Sequence, residues 1–178
     1  MEPPMKLAFL ADPLSGFKTY KDSTFAMMRE AARRGHAIHA FEQSDMALEG
    51  GIVSAQISEI TLTGDADDWF RATPKVSARL SEFDAIILRK DPPFDMEYVY
   101  CTYLLDLAEK QGACVVNKAQ AVRDHNEKLA ITQFTEYTSP TLVTSDATRL
   151  RDFHAEHQDV IFKPLDGMGG AGIFRIRS

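Results

Sequence analysis

Cysteine is scarce in this chain: Cys101 and Cys114 are the only two in 178 residues. Two thiols cannot build a disulfide framework. Both sit in apolar stretches, so they are expected to be reduced packing residues of a cytosolic protein. Long apolar runs are missing too, and nothing approaches the roughly 20 residues needed to span a bilayer. The opening MEPPMKLAFLADP has no extended apolar segment with a cleavage site, so no signal peptide is expected, and Met5 is a candidate start. The expectation is a soluble, cytoplasmic chain with no membrane partner. Basic charge is also short, with 20 Lys and Arg against 26 Asp and Glu and a net charge of −6, which argues against a nucleic-acid binder. No Ser/His/Asp or Cys/His arrangement suggests a covalent nucleophile. His154 and His157 have no Cys or carboxylate cluster to complete a zinc site, and His36 and His39 point to opposite faces of a strand. No metal site is expected within residues 1–178.

What is present suits a globular protein that buries a core. Apolar residues make up 44% and charged residues 26%. The length fits one domain, or one domain and part of another. KLAFLA (6–11) is a nearly continuous apolar run, as in a strand buried on both faces of a parallel sheet. Residues 22–34 predict a helix, capped by Asp22 or Ser23, stopped by Gly35, and buried along Phe25, Met28 and Ala32. HAIHAF (36–41) completes a strand–helix–strand unit, the start of an open α/β sheet. In IVSAQISEITLT, Val53, Ala55 and Ile57 alternate in one phase and Ile60 and Leu62 in the other. That predicts a turn or bulge within a small antiparallel excursion. Residues from DADDWF to Leu80 read as short helix and loop. AIILR (85–89) is a further strand, Asp95 caps a helix from about Met96 to Gln111, and ACVVN (113–117) is the fourth strand. Near residue 125 the character changes. A helix at 126–137, another at 146–157, the strand VIFKP, a glycine loop and the strand IFRIR suggest a second domain. There are no repeats or low-complexity segments.

Three stretches could carry chemistry. Arg89 and Lys90, in RKDPPFD, fall at the carboxyl end of a parallel strand, where open α/β sheets bind ligands. On a loop stiffened by prolines they could hold a carboxylate, or they could be solvated residues of a strand-to-helix turn. Asp12, Lys21 and Ser23 could face the same crevice. In RDHNEKL (123–129), Asp124 and Glu127 have capping-box spacing, and Lys128 falls in the first turn, beside backbone N–H groups that would welcome an anion. The alternative is a surface lysine. In KPLDGMGGAGIFRIRS, Gly167, Gly169, Gly170 and Gly172 lie within six residues between two strands, just after Lys163. The pattern is neither G-x-x-x-x-G-K-[ST] nor G-x-G-x-x-G. It is a flexible hairpin or a cradle whose N–H groups turn towards a phosphate.

Taken together, KDSTFAMMREAARRGH, ILRKDPPFDMEYVYCTYLL, VVNKAQAVRDHNEKL and IFKPLDGMGGAGIFR resemble the bacterial glutathione synthetases of the ATP-grasp superfamily, across the whole chain and in the family's order. The resemblance implies an α/β fold. Residues 1–124 would be an open parallel-sheet, pre-ATP-grasp domain that binds substrate, and residues 125–178 the first α+β part of an ATP-grasp domain. It implies an ATP-dependent ligation of γ-glutamylcysteine and glycine through an acyl phosphate, with Mg²⁺, or Mn²⁺, as the metal. It assigns ATP to Lys128, Lys163, Gly167, Met168, Gly169, Gly170, Ala171 and Gly172, and the γ-glutamylcysteine carboxylates to Arg89, with Lys90, Asp12, Lys21 and Ser23 alongside. Arg89, Gly169 and Gly170 would act in catalysis. It also implies a homo-oligomer, a tetramer. The family's chains are longer, and the segment beyond this one would carry the metal ligands and most of the adenine pocket. A chain cut at Ser178 is therefore expected to be inactive. The alternatives are another ATP-grasp ligase joining an amine to a carboxylate, or a non-catalytic nucleotide- or peptide-binding module.

Overall fold

The run KLAFLA is buried from Leu7 to Ala11 in the computed structural model, which describes residues 3–177. In chain order the first elements are β1 (Lys6–Ala11), α1 (Ser23–Arg33), β2 (Ala37–Phe41), β3 (Met46–Glu49), β4 (Ile52–Leu62), β5 (Phe70–Ala72) and β6 (Val76–Arg79). They are followed by β7 (Ala85–Arg89), α2 (Met96–Lys110), β8 (Val115–Val116) and α3 (Ala119–Asp124). The sheet order is β3-β4-β2-β1-β7-β8, with β5 and β6 on β4. β2, β1, β7 and β8 are parallel, while β4 runs antiparallel to β2. The expected α/β class with an open parallel sheet is what the chain adopts. No described helix is long and apolar enough to cross a membrane.

Each face of the sheet buries its own cluster. Ala8 and Leu10 join Ile86, Leu88, Cys101 and Leu105 on one side, and Leu7 and Phe9 join Met28, Ala31, Ile38 and Trp69 on the other. Period-two alternation along β1 feeds both clusters, and side chains such as Phe9 and Leu10 each contribute about 1.5–3 kcal/mol on burial. α1 is capped as expected: the Asp22 carboxylate accepts from the Phe25 N–H at 2.9 Å, and Gly35 takes φ +82° after the last turn. Its buried stripe is Thr24, Met28 and Ala31, with Phe25 half-buried. Ala32 is exposed, because the spacing that follows Met28 turns Ala31 inward instead.

The antiparallel excursion exists, but no turn interrupts IVSAQISEITL. It is one strand, β4, whose odd residues Val53, Ala55 and Ile57 join the first cluster while Ile60, on the even face, joins the second. The change of covered face falls at the adjacent buried residues Ile57 and Ser58, where β4 passes from pairing with β3 and β6 to pairing with β2 and β5, and it reads in sequence as a slip of phase. The segment read as helix and loop after DADDWF instead forms β5 and β6, which pair with β4, while Trp69 packs into the second cluster. The fourth parallel strand is shorter than predicted, only Val115–Val116. Cys101 is buried, but Cys114 is exposed, so only the former is a packing residue.

The contacts divide the chain into two units, one ending at Asp91 and resuming over Met96–Arg123, the other made of Pro92–Asp95 with Asp124 onward. In the second, α4 (Ala147–His157) is capped by the Asp146 carboxylate, which accepts from the Thr148 N–H at 2.7 Å. β9 (Asp159–Phe162) and β10 (Phe174–Arg177) form an antiparallel hairpin. The helix predicted at 126–137 is a 3-10 segment from Ala130 to Tyr137, kinked at Phe134. Asp124 does not start a helix but ends α3. The Asn126 carboxamide oxygen takes the capping role, accepting from the N–H groups of Lys128 at 2.9 Å and Leu129 at 3.2 Å. An Asx side chain nearer the turn competes successfully for those donors.

Burial pushes the Cys101 thiol up to about 11 and the Tyr98 hydroxyl up to about 12, from ordinary values of 9.0 and 10.0. Both groups ionise first in the unfolded chain, so their share of stability is complete below pH 9 and is lost as pH rises towards 12. Denaturant melts are expected to show stability falling steadily over that window, with Cys101→Ala flattening its lower part.

Candidate functional site

Residues Ala11 and Arg89 are direct partners in the parallel register of β1 and β7, so both strands end at the same level. Immediately beyond them, Asp12 and Lys90 form an ion pair, Nζ to Oδ1 at 2.7 Å. The other oxygen of Asp12 accepts from the Asp91 N–H at 2.8 Å. Lys90 also donates to the Asp91 carbonyl at 2.7 Å, and the Tyr98 hydroxyl of α2 donates to the Lys90 carbonyl at 3.0 Å. Partial desolvation, and then the neighbouring Asp12 carboxylate, push the Asp91 carboxyl above the ordinary carboxylate range. The turn is thus fixed by a charge network at the carboxyl ends of the central strands.

Arg89 reaches from β7 to the first turn of α1. Its Nε donates to the Thr24 hydroxyl at 3.1 Å and its Nη2 to the Ser23 hydroxyl at 2.7 Å. Arg89, Lys90, Asp12 and Ser23 are therefore brought together as the sequence suggested. Lys21 is not: it lies 5.9 Å over the exposed Tyr20 ring and shares no described contact with the group. Thr24, missed in the sequence, is buried against the core. Its only signal was its place one residue after Ser23 at the helix start.

In the second unit, Lys128 is mostly covered, and its ammonium contacts the Glu127 carboxylate and the Gly167 carbonyl. The Asn126 carboxamide nitrogen donates to the Leu165 carbonyl at 3.3 Å, bringing the 126–128 turn to the start of the glycine loop. The Phe94 N–H donates to the Asp166 carbonyl at 3.2 Å. Lys163 follows β9 directly, is exposed, and has no hydrogen-bond or ion-pair partner among the described residues. In the loop, Gly169 and Gly170 hold φ of +64° and +86°, which L side chains rarely adopt. Between Met168 and Ile173, among the described residues, two backbone donors are engaged with other backbone: Ala171 with Met168 at 3.2 Å and Ile173 with Gly170 at 3.3 Å. The N–H groups of Met168, Gly169, Gly170 and Gly172 have no partner among the described residues and could meet solvent or an anion. A Cβ on Gly167 would lie 3.0 Å from Pro164 Cγ, so a larger residue there would make the proline ring give by a few tenths of an ångström. Among the described residues no three His, Cys, Asp or Glu side chains gather as metal ligands.

The fold is one found in ATP-grasp ligases. The ATP-grasp ligase PsnB, in complex with its minimal precursor, superposes with a TM-score of 0.51 over 99% of this chain and 58% of its own, at 20% identity. Its complex with a phosphomimetic precursor variant, Mg and ADP gives 0.50 at 18% identity. Residues 5–123 match the N-terminal domain of prokaryotic glutathione synthetase, and residues 127–178 match the ATP-grasp domain of the same family. This chain belongs to the prokaryotic glutathione synthetase family. The glutathione synthetase of Ralstonia nicotianae is 62% identical over 172 residues, covering 97% of this chain and 53% of the relative. Those of Neisseria meningitidis serogroup B and Nitrosomonas europaea are each 52% identical and are covered to 55% of their length. The chain spans about half the length of the curated relatives it matches.

Because the Asp12 carboxylate is what holds the Asp91 N–H, Asp12→Ala is expected to speed hydrogen exchange at the Asp91 amide. Amides at the centre of β1, such as Phe9, should exchange as before. Unchanged protection at Asp91 in NMR exchange spectra would show that the turn is held by something else.

Proposed function

We propose that this chain supplies the carboxylate-binding and phosphate-gripping parts of a glutathione synthetase, an ATP-dependent ligase joining γ-glutamylcysteine to glycine. The observation that carries the proposal is the match of two successive segments to two successive domains of one family. The geometry within each segment supports it. In this reading residues 1–124 form the substrate-binding domain and residues 125–178 the opening part of the ATP-grasp domain.

Arg89, with Lys90 beside it, receives a carboxylate of γ-glutamylcysteine on a guanidinium already immobilised by hydroxyl groups. Ser23 lines the same position, and Asp12 acts by holding Lys90 and the Asp91 amide. Lys21 fits this reading only if its side chain leaves Tyr20. Lys128, Lys163 and the open N–H groups of the Gly167–Gly172 loop, Met168 and Gly169 and Gly170 among them, hold the ATP phosphates. ATP supplies the phosphoryl group that activates the substrate's carboxylate for attack by glycine's amine. The loop's contribution is positioning and exclusion of water, and Arg89 with the lysines compensates negative charge. No metal site forms among the described residues, so Mg²⁺ is assigned to the reaction, where it would neutralise phosphate charge, and to none of the described side chains. A homotetrameric, cytoplasmic enzyme completes the proposal.

Purified protein, as encoded by its gene, is expected to release ADP only when γ-glutamylcysteine and glycine are both present. Arg89→Ala should raise the KM for γ-glutamylcysteine, while Lys128→Ala and Lys163→Ala should raise that for ATP, each by about ten-fold or more, as for loss of a charged hydrogen bond. Acceptance of another amine in place of glycine, with higher kcat/KM, would reassign the protein to a different ligase of the same fold. A polypeptide of residues 1–178 alone, its mass verified, is expected to release no such ADP. Turnover by that polypeptide would overturn the assignment of essential groups to the remainder of the family's ATP-grasp domain.

A further inference from the structure

A guanidinium has two edges that suit a carboxylate. One is the side, made of Nε and the adjacent Nη2, and the other is the end, made of Nη1 and Nη2. In Arg89 the side edge is already occupied by consecutive residues of one helical turn: Nε donates to Thr24 at 3.1 Å and Nη2 to Ser23 at 2.7 Å. Nη1 has no partner among the described residues. The end edge is therefore the one presented to a ligand.

The two hydroxyls are not equivalent. Ser23 is exposed, so water can replace its contact, whereas Thr24 is 5% exposed and is one of three buried polar residues described in the chain. The first turn of α1 that carries Thr24 is itself braced. Phe25 meets the Trp69 ring edge-on at 5.0 Å, Phe17 stacks on the same ring at 5.9 Å, and Asp22 caps the helix. A buried acceptor on a braced turn fixes the plane of the guanidinium, which a solvent-exposed acceptor could not do.

We propose that Thr24 is a positioning residue for substrate recognition: it holds Arg89 by Nε so that the substrate's carboxylate binds end-on, to Nη1 and Nη2. The proposal rests on the reading in which Arg89 receives a carboxylate of γ-glutamylcysteine. Thr24 touches no substrate. It acts by removing the rotational freedom Arg89 would otherwise lose on binding.

The test compares Thr24→Val, which keeps shape and burial but removes the acceptor, with Thr24→Ser, which keeps the acceptor, in the protein as its gene encodes it. Thr24→Val is expected to raise the KM for γ-glutamylcysteine roughly ten-fold, as for loss of a hydrogen bond to a charged group. The KM for ATP and kcat at saturation should stay as they were, and Thr24→Ser should restore most of the loss. In NMR spectra the Arg89 Nε–H should exchange slowly in the wild-type and Thr24→Ser proteins and quickly in Thr24→Val. If Thr24→Val melts too early to assay, Thr24→Cys, of similar size and a weaker acceptor, repeats the comparison. A wild-type KM in Thr24→Val, no rescue by Thr24→Ser, or an unchanged Nε–H would each overturn the proposal. If Arg89→Ala leaves the KM for γ-glutamylcysteine unchanged, the reading of Arg89 is what fails. The Nε–H comparison still decides whether Thr24 sets the guanidinium.

Discussion

The parallel register of β1 against β7 is the constraint on which the N-terminal unit depends. Ala11 opposite Arg89 makes both strands stop together, and the next residue of each, Asp12 and Lys90, then meets the other at 2.7 Å. A displacement of one residue would exchange the two faces of a strand, moving Leu7 and Phe9 out of one cluster and Ala8 and Leu10 out of the other. Both faces are buried, so the slip is opposed by the mismatch of volumes, with Ala8 brought where Leu7 or Phe9 packs. The position of the charged turn is thus set by apolar packing along the strands, while the charges fix its conformation.

The same logic extends to the first turn of α1. Trp69, which precedes β5, gathers Phe17, Phe25 and Phe70 around its ring at centroid distances of 5.9, 5.0 and 4.7 Å. Aromatic pairs of this kind contribute about 0.5–1.5 kcal/mol each beyond the area they bury. Phe25 stands next to Thr24, so the cluster on this face of the sheet also braces the turn whose hydroxyls meet Arg89. The segment from Asp65 to Ala72, remote in sequence, thereby braces the helical turn that meets Arg89. Its own loop is closed by the Asp65 carboxylate, which accepts from the N–H groups of Asp67 and Asp68 and is held below the ordinary carboxylate range by those two bonds.

Much of this architecture was legible in the sequence where burial is continuous or a cap is chemically explicit. β1, β2, β7, α1 and α4 lie close to their predicted positions, since apolar runs and residues such as Asp22 and Gly35 mark their limits. β5 and β6 were not legible. FRA and VSAR have too few apolar residues to declare themselves, and they become strands only because β4 offers them an edge. The reading of Asp124 failed for a similar reason, because Asp124 and Asn126 both stand near the same donors and only the folded turn selects Asn126. For the candidate site, Arg89, Lys90, Asp12 and Ser23 could be grouped from strand ends and helix starts. Thr24 could not, since a buried hydroxyl facing a residue 65 positions away leaves no periodic trace.

The two candidate binding regions are built to opposite specifications, and their chemistry explains why. A guanidinium that recognises a carboxylate gains by being rigid before the ligand arrives, and Arg89 is tied to a buried acceptor on a braced turn. A loop that closes over a phosphate gains by being easy to reshape. The Met168–Ile173 segment is accordingly held by two backbone hydrogen bonds, with residues in a region of φ that costs glycine little. Lys128 is engaged by groups that exchange readily, the Gly167 carbonyl and the exposed Glu127 carboxylate, so a phosphate can replace both without stranding a buried charge. In the proposed reaction the discriminating contact is then made before closure, on a prepared surface. The loop's flexibility serves timing and exclusion of water, at little expense to the selectivity already secured at Arg89.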